Sequence, residues 1–388
     1  MWAHRWLAAK AVRFKIEIHI LGLDMSRAFD TISRTRLLEI LRVDVGLEED
    51  EVRLCQALLA DTHLQVRFKG VLSEPFCTTI GTPQGDGLSP ILFAVYLERA
   101  LRDVRAQAPP RPLSDKGLPL EAIYADDSDF FSTDLEFLKM LEALIPPIIG
   151  DYGLMANPNK WEHTTLSSEQ VADLWKKVRK LGSLLGDEED IERRMNLATV
   201  QFKALSRLWD RSGQISLHTR MRAYNALVLS VLLYNSATWG VSQSVVRKLE
   251  VFHRGHLRRV LGVRWPYKIS NEDLYRRCNA EPLGSIIKRL RWKMFGHVLR
   301  LSQDTPAQLA MDFYCTSAAS MQRGRAKTTL PVLLLNEYHA YKQQLKKSSY
   351  RQTPTTALKE LRRQAADRDN WAQVVKEVCQ LASEEEAV

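Results

Sequence analysis

The chain has 388 residues, of which 45% are hydrophobic, and a formal net charge of +9. This length allows two or three domains, and the apolar fraction is enough to fill ordinary cores, which excludes a disordered chain. The positive balance favours a polyanionic partner without establishing one. The longest apolar run, residues 226–233, is far too short to span a bilayer, so we expect a soluble protein with no membrane partner.

The number and spacing of the cysteines limit the possible structural classes further. The five cysteines are Cys55, Cys77, Cys278, Cys315 and Cys379. They are far apart and form no CxxC pair, so neither a disulfide framework nor a zinc module is indicated. No signal peptide opens the chain. We therefore predict reduced thiols in a nuclear or cytoplasmic protein that is not secreted.

The first elements alternate between strand and helix. Residues 16–23 begin with alternating apolar positions and then become wholly apolar, as expected of a strand that enters a core and ends at Asp24. Apolar residues recur at the helical period around residues 37–41 and 52–59, which predicts two short helices. Alternation over residues 64–68 predicts a strand, with residues 71–80 pairing back as a hairpin.

The next segment contains a hairpin between helices. After a Gly- and Pro-rich stretch, residues 91–106 are predicted as a helix. Residues 122–132 are typical of two strands with an Asp-Asp pair at their turn. A helix over residues 135–144 is predicted to stop at Pro146 and Pro147. The chain from Asp187 onward is predicted to be mostly helical. This order indicates an α+β layer followed by helical domains.

Basic helical segments stand out in the C-terminal half. Residues 253–265 and 288–300 combine basic and aromatic residues at helical spacing. They fit either amphipathic helices with solvated charged faces or nucleic-acid contacts. Because no cysteine pairs surround His253, His256 and His297, a zinc site is not indicated. We expect these histidines at helix surfaces or facing RNA.

Three carboxylates occupy the most informative positions. Asp24 follows the predicted buried strand, and Asp126 and Asp127 lie at the tip of the predicted apolar hairpin. Adjacent carboxylates repel one another unless a cation neutralises them, and oxygen ligands at a strand end suit Mg²⁺. Such carboxylates can hold two metals for phosphoryl transfer. The alternative is a turn that prefers aspartate for its backbone geometry.

Ordered motifs connect these residues to a known family. Residues 23–32 (LDMSRAFDTI), 81–93 (GTPQGDGLSPILF) and 124–127 (YADD) resemble motifs A, B and C of reverse transcriptases. Residues 153–166 (GLMANPNKWEHTTL) are similar to motif D, and residues 179–187 (RKLGSLLGD) look like the entry to the thumb. The chain resembles the reverse transcriptase of non-LTR (LINE-type) retrotransposons. The resemblance implies an N-terminally truncated copy without endonuclease or most of the fingers.

The resemblance also implies an architecture. It predicts a right-hand polymerase palm, an antiparallel sheet packed on helices, over residues 1–178 with little of the fingers. A helical thumb would follow over residues 179–265. A basic helical C-terminal domain would then occupy residues 266–388.

By the same resemblance, a metal centre is assigned residue by residue. Asp24, the carbonyl of Met25, Asp126 and Asp127 would bind two Mg²⁺ ions, with Mn²⁺ as the alternative cofactor. Lys160 matches the motif D lysine, which assists the pyrophosphate leaving group. The alternative for Lys160 is a solvated surface lysine.

Three residues match positions next to the nucleotide and template. Phe29 matches the position whose ring excludes the 2′-hydroxyl, although in isolation it would be interpreted as a core residue. Gln84 and Gly85 would lie against the incoming nucleotide and the template base.

Two further hypotheses remain beside the polymerase. The resemblance implies attack of a DNA primer 3′-hydroxyl on a dNTP, directed by an RNA template. A catalytically inactive relic that only binds nucleic acid is the first alternative. In the family the fingers carry basic residues that clamp the triphosphate, and the resemblance implies that most of the fingers are missing. A metal-dependent hydrolase is the second, but motifs B and D have no place in it. The sequence gives no prediction of oligomeric state.

Overall fold

The protein is described by a computed structural model in two compact units. It covers residues 1–60, 62–83, 85–157, 160–168, 170–210, 214–316, 327–345 and 353–385. We call Ile18–Thr165 the sheet unit, and Met1–Glu17 together with Leu166–Val388 the helical unit. None of the described helices is long and apolar enough to cross a membrane.

The elements follow one another in the predicted order. The chain starts with α1 (Trp2–Phe14), which belongs to the helical unit. The next elements are β1 (Ile18–Leu23), β2 (Met25–Ser26), α2 (Arg34–Val43), α3 (Glu49–Leu59), β3 (Thr62–Leu64), β4 (Arg67–Phe68), β5 (Val71–Leu72), β6 (Phe76–Thr78), α4 (Ser89–Gln107), β7 (Glu121–Tyr124), β8 (Asp127–Ser132), α5 (Leu135–Asp151), β9 (Met155–Ala156) and β10 (Glu162–Leu166). The predicted strands, hairpins and helices of this region are present.

A four-stranded sheet forms the centre of the sheet unit. Its strand order is β10-β1-β8-β7. β1 pairs antiparallel with β8, and β8 pairs antiparallel with β7. One face of the sheet packs on α5, which also packs against α4, because the apolar residues of these helices are spaced to form a continuous buried face. The α+β fold class predicted from the sequence is confirmed.

The prediction that a helix stops at Pro146 and Pro147 is wrong. Helix α5 continues through both prolines to Asp151. A proline inside a helix costs about 3 kcal/mol because it removes a backbone donor and clashes with the preceding turn. Ile145, Ile148 and Ile149 are buried on the same helix, and each stabilises by about 1.5–3 kcal/mol. Tertiary burial therefore outweighs the local penalty.

The helical unit contains the remaining elements. They are β11 (Arg179–Lys180), β12 (Ser183–Leu184), α6 (Asp187–Ala204), α7 (Ser206–Asp210), α8 (Leu217–Tyr224), α9 (Ser230–Leu232), α10 (Gln243–Leu261), α11 (Asn271–Cys278), α12 (Leu283–Leu299), α13 (Pro306–Cys315), α14 (Leu330–Gln344), α15 (Pro354–Ala366) and α16 (Arg368–Glu385). A π-helical turn over Asn225–Leu229 connects α8 to α9. The predicted helical character after Asp187 is confirmed.

Helix α1 was not anticipated from the sequence. Its buried residues include charged ones: Arg5 is 3% exposed and Lys10 is 2% exposed. Arg5 donates to the carbonyl of Leu184 at 2.9 Å and pairs with Asp187 at 3.2 Å, inside the helical unit. The division predicted at residues 178 and 265 stays a prediction, but residues 1–17 group with the helical unit and not with the sheet.

The surface position predicted for His253 is wrong. Its side chain is 1% exposed, and its Nδ1 lies 2.8 Å from the hydroxyl of Tyr224. Half-buried His256 stacks on Phe202 with ring centroids 4.0 Å apart. Burial lowers the pKa of each histidine to about 4, because it disfavours the charged imidazolium. His297 is exposed, as predicted.

Candidate active site

Strand pairing brings two of the predicted carboxylates to one end of the sheet. Leu23 at the end of β1 pairs with Ser128 of β8. The next position along each strand is therefore Asp24 on one side and Asp127 on the other. Asp24 is 29% exposed, and Asp127 is exposed. The side chains of both residues are thus accessible from solvent at the edge where β1 ends.

The third carboxylate lies in the turn next to this pair. Tyr124 pairs with Asp127, so Ala125 and Asp126 form a two-residue turn between β7 and β8. Ala125 has a φ of 54°, in the left-handed region. This conformation costs a residue with a Cβ about 1–2 kcal/mol. Such strain is typical of functional turns, and here it occurs next to half-buried Asp126.

Lys160 is held next to Asp24 by backbone and side-chain contacts. β2 pairs with β9 through Met25 and Ala156. The amide of Asn157 then donates to the carbonyl of Asp24 at 3.0 Å, and the amide of Lys160 donates to Asn157 at 2.9 Å. The Lys160 ammonium donates to Asp24 Oδ2 at 2.9 Å. The structure therefore brings motifs A and D together.

Met25 and Phe29 occupy different environments after Asp24. The Met25 side chain is 4% exposed, so only its backbone is suited to contact a ligand. The half-buried ring of Phe29 stacks on Phe93 of α4, with centroids 4.4 Å apart. The Phe29 carbonyl accepts a hydrogen bond from the amide of Thr82 at 2.9 Å. The segment after Asp24 is thereby fixed to the loop before α4.

The loop before α4 has a backbone that requires glycine at two positions. Gly81 has a φ of 76°, and a Cβ there would lie 2.9 Å from the Cα of Asp30. Gly85 has a φ of 98° and open space around it. Gln84 lies outside the described residues. Asp86 Oδ1 accepts hydrogen bonds from the amides of Ser89 and Leu88, and these lower the pKa of Asp86.

Sequence reasoning missed Arg34 at the start of α2. Its guanidinium donates to the carbonyls of Thr78 at 2.6 Å and Gly81 at 2.9 Å, and to the Thr78 hydroxyl at 3.0 Å. Charged donors make the stronger protein hydrogen bonds. Arg34 therefore holds the beginning of the loop in place. The sequence gives no signal for this role, since an arginine in the first turn of a helix has no typical partner.

The types of ligand atom at this edge of the sheet fit a magnesium centre, but the side chains are not arranged as a complete metal site. The carboxylates of Asp24, Asp126 and Asp127 lie at the end of β1 and the start of β8 or in the turn between β7 and β8, and hard oxygen ligands suit Mg²⁺. Within the described part of the chain, however, no three His, Cys, Asp or Glu side chains are grouped closely enough to hold a metal. Lys160 donates a hydrogen bond to Oδ2 of Asp24, a carboxylate that would be one of the metal ligands.

A family comparison decides what this sheet belongs to. Residues 8–206, which are 199 of the 388 residues, match the profile of the family described as "Reverse transcriptase (RNA-dependent DNA polymerase)". The chain belongs to the reverse transcriptase family. The family predicted from motifs A to D is confirmed.

Individual relatives are retrotransposon proteins. The chain is 29% identical over 142 residues to the Pol polyprotein of the type-2 retrotransposable element R2DM of Drosophila melanogaster. That match covers 37% of the chain and 13% of the relative. A Pol polyprotein of the type-1 element R2 of Popillia japonica is 24% identical over 109 residues, which are 28% of the chain and 18% of the relative. The chain thus spans under a fifth of these proteins.

Two solved telomerase structures match the chain at low TM-scores. Apo telomerase from Candida tropicalis gives a TM-score of 0.42 at 12% identity, covering 92% of this chain and 55% of that one. Telomerase from the same organism in complex with the TWJ fragment of telomeric RNA gives 0.40 at 14% identity, covering 81% and 52%. These TM-scores are too low to bear on the function of this reverse transcriptase.

Proposed function

We propose that the sheet unit is the catalytic palm of an RNA-directed DNA polymerase. It would add a deoxynucleotide to the 3′-hydroxyl of a DNA primer and release pyrophosphate. The observation that carries this proposal is the position of Asp24 and Asp127 at the ends of paired strands, with Asp126 in the adjoining turn. A member of the reverse transcriptase family with three carboxylates there has the donors that phosphoryl transfer requires.

The cofactor proposed for this site is a pair of Mg²⁺ ions, with Mn²⁺ able to substitute. Asp24, the carbonyl of Met25, Asp126 and Asp127 would be the ligands. When bound, such ions activate the attacking hydroxyl and neutralise charge on the phosphates. The exposed edge of the sheet supports this assignment, because water and phosphate oxygens complete the coordination of Mg²⁺.

Lys160 has a second role in this proposal. Its ammonium now bonds Asp24 Oδ2, and both side chains are accessible to solvent. An exposed ion pair contributes only about 0–1 kcal/mol, so it opens readily. We assign Lys160 to the leaving pyrophosphate, to which it would donate a proton or a hydrogen bond while its backbone stays fixed to Asn157.

Phe29, Gln84 and Gly85 are assigned to the incoming nucleotide and the template. The Phe29 ring stacks on Phe93, and it cannot move away from the nucleotide without losing this contact. A 2′-hydroxyl placed against this ring would clash or lose its hydrogen bonds, which favours deoxynucleotides. Gly85 has no Cβ, so its backbone can approach a base closely.

The partners in this proposal are an RNA template, a DNA primer and dNTPs. The net charge of +9 is consistent with a polyanionic substrate. The reaction would take place in the nucleus or the cytoplasm. Retrotransposition is the proposed context, since the relatives are Pol polyproteins of retrotransposable elements.

Primer extension tests the proposal. Poly(rA) annealed to oligo(dT) is incubated with dTTP and Mg²⁺, and the parent is compared with an Asp126→Asn, Asp127→Asn double variant. The matched control is Asp50→Asn, because Asp50 is 94% exposed on α3. We expect extension by the parent and the control, and a loss of at least about 100-fold in the double variant.

Template binding separates the outcomes. If the folded parent binds primer-template without extending it, the polymerase proposal fails and a binding relic remains. If the double variant extends as fast as the parent, the assigned carboxylates are wrong. Mn²⁺ binding measured by titration calorimetry gives a second readout, and Asp24→Asn should weaken it.

A further inference from the structure

Two aromatic rings are exposed on the connection between α10 and α11. Trp265 is 90% exposed and Tyr267 is 80% exposed, which makes them the most exposed aromatic residues in the described part of the chain. The chain over this turn reads Arg264-Trp265-Pro266-Tyr267-Lys268, and every residue of it is exposed. Large apolar side chains left together in water are unusual and typically mark an interaction site.

The structure holds this turn at both ends. Leu261 and Ile269 pack against the hydrophobic core of the helical unit. Gly262, with a φ of 85°, ends α10 in the left-handed conformation. Ser270 caps α11 by accepting a hydrogen bond from the amide of Asp273 at 3.0 Å. The turn is therefore anchored on either side.

A hydrogen bond inside the turn constrains the backbone that carries the two rings. The amide of Tyr267 donates to the carbonyl of Arg264 at 3.0 Å, which closes a tight turn. Pro266 lies between the two aromatic residues and restricts its own backbone angle. The rings are thus presented from a constrained backbone, and little conformational entropy remains to be lost on binding.

The segment of the chain that carries the rings is basic. Residues 251–270 contain five basic residues and no acidic one. These are Arg254, Arg258, Arg259, Arg264 and Lys268. Arg264 pairs with Asp210 at 2.8 Å, and both side chains are more than half exposed, so this bridge is weak and exchangeable. The turn therefore presents aromatic faces in a positive field that attracts phosphates.

We propose that the turn 264–268, here called the RWPYK turn, is a stacking site for unpaired nucleobases of a single nucleic-acid strand. The rings would stack on bases while the neighbouring cations contact the backbone phosphates. Single-strand binding sites combine these two features, and stacking tolerates any sequence because every base has a π face. A stable protein interface needs about 800 Å² on each partner, and two aromatic side chains of about 150–250 Å² each supply less than that.

This inference goes beyond the polymerase reaction and concerns binding by the helical unit. The test uses the full chain without dNTPs, so it does not depend on whether the palm is active. Fluorescence anisotropy is measured at one fixed salt concentration with labelled single-stranded RNA and single-stranded DNA of the same mixed sequence. A DNA strand with abasic sites in place of its bases and a DNA duplex complete the set.

The decisive variant is Trp265→Ala, Tyr267→Ala. We expect its affinity for base-containing single strands to fall by about 10-fold or more. Its affinity for the abasic strand and the duplex should change less than about 2-fold. Trp265→Phe, Tyr267→Phe keeps both rings and should restore binding. The matched control Val251→Ala removes an apolar side chain that is 64% exposed on α10 and should have no effect.

Each outcome decides for or against the site. Selective loss on RNA, on DNA or on both supports stacking and identifies the strand. An equal loss of affinity for abasic and base-containing strands overturns the stacking proposal. The substitutions would then affect binding through the charge or the structure of the turn and not through contact with bases. No loss on any strand also overturns it and leaves the rings to a protein partner. Circular dichroism and thermal melting verify the fold, and the Phe variant remains informative if the Ala variant unfolds.

Discussion

The ammonium of Lys160 lies 2.9 Å from Oδ2 of Asp24, so motif D forms an ion pair with the carboxylate that we propose as a metal ligand in motif A. This contact connects two assigned roles. A cation bound at Asp24 would compete with Lys160 for the same oxygen, and the released ammonium would be free to reach a leaving group. The two functions of Lys160 would then alternate within one catalytic cycle.

Removing the Lys160 ammonium should separate these functions. In Lys160→Ala we expect tighter Mn²⁺ binding at Asp24, because the competing charge is gone. We also expect the single-turnover rate of nucleotide addition to fall about 100-fold, the effect typical of a lost general acid. Lys160→Arg keeps the charge and should leave Mn²⁺ affinity near that of the parent. Unchanged Mn²⁺ affinity in Lys160→Ala would contradict the competition.

The loop before α4 provides a stability prediction with an internal control. In Gly81→Ala the new Cβ would lie 2.9 Å from backbone atoms of Asp30, at a φ of 76°. We expect the free energy of unfolding to fall by at least about 1–2 kcal/mol. Gly87 in the same loop has open space and no left-handed φ, so Gly87→Ala should change it by less than about 0.5 kcal/mol. Denaturant unfolding measures both, and equal effects would contradict the geometry.

The sequence predicted those parts of the fold that depend on local pattern. Alternation and apolar runs located β1 and β8. The positions predicted for the three aspartates follow from the end of β1 and the start of β8. The continuation of α5 through Pro146 and Pro147 could not be predicted, because it depends on isoleucines buried against distant elements. Local propensity is a weak guide where tertiary packing contributes more free energy than the local penalty.

The candidate site was proposed from its chemistry, and the contacts that position its residues were not predicted. Lys160 was found by motif, but its bond to Asp24 joins residues 136 positions apart. Arg34 was missed because its partners are mostly backbone carbonyls, which carry no sequence signal. His253 was assigned to the surface because an amphipathic pattern does not reveal which polar side chain a buried tyrosine will bond.

Arg34 should act as a positioning residue for the loop before α4. Arg34→Ala removes three hydrogen bonds to Thr78 and Gly81, so the loop should lose its fixed position. We expect KM for dNTP to rise about 10-fold with a smaller change in kcat, since no reacting atom is lost. Arg53→Ala is the control, because Arg53 is 69% exposed on α3. A loss of kcat without a change in KM would contradict this role.

His253 should make stability depend on acid pH. Its folded pKa of about 4 lies below the ordinary value of 6.5, so the unfolded chain binds more protons between these values. Stability should therefore be lost as pH falls from 6.5 to 4, by about 1–2 kcal/mol at pH 5. The charged or titratable groups that influence this histidine are His256, Arg254, Tyr224 and Tyr275.

A variant pair isolates this contribution. His253→Phe keeps a ring against Tyr224 but cannot be protonated, so its unfolding free energy should change less between pH 7 and pH 5. The comparison uses this change rather than the absolute value, because the Tyr224 hydroxyl loses its partner at every pH. His297→Phe replaces an exposed histidine of α12 and should keep the pH dependence of the parent. The same dependence in both variants would rule out His253 as its source.

Phe29 should determine the choice between deoxynucleotides and ribonucleotides. Its ring stacks on Phe93 with centroids 4.4 Å apart, and this packing restricts rotation of the ring away from a 2′-hydroxyl. Phe29→Val removes the ring, and we expect the preference for dTTP over UTP in kcat/KM to fall about 10- to 100-fold. Phe29→Tyr keeps the ring and should keep the preference. If Phe29→Val lowers kcat/KM equally for both nucleotides, the ring is a core residue and another group excludes the 2′-hydroxyl.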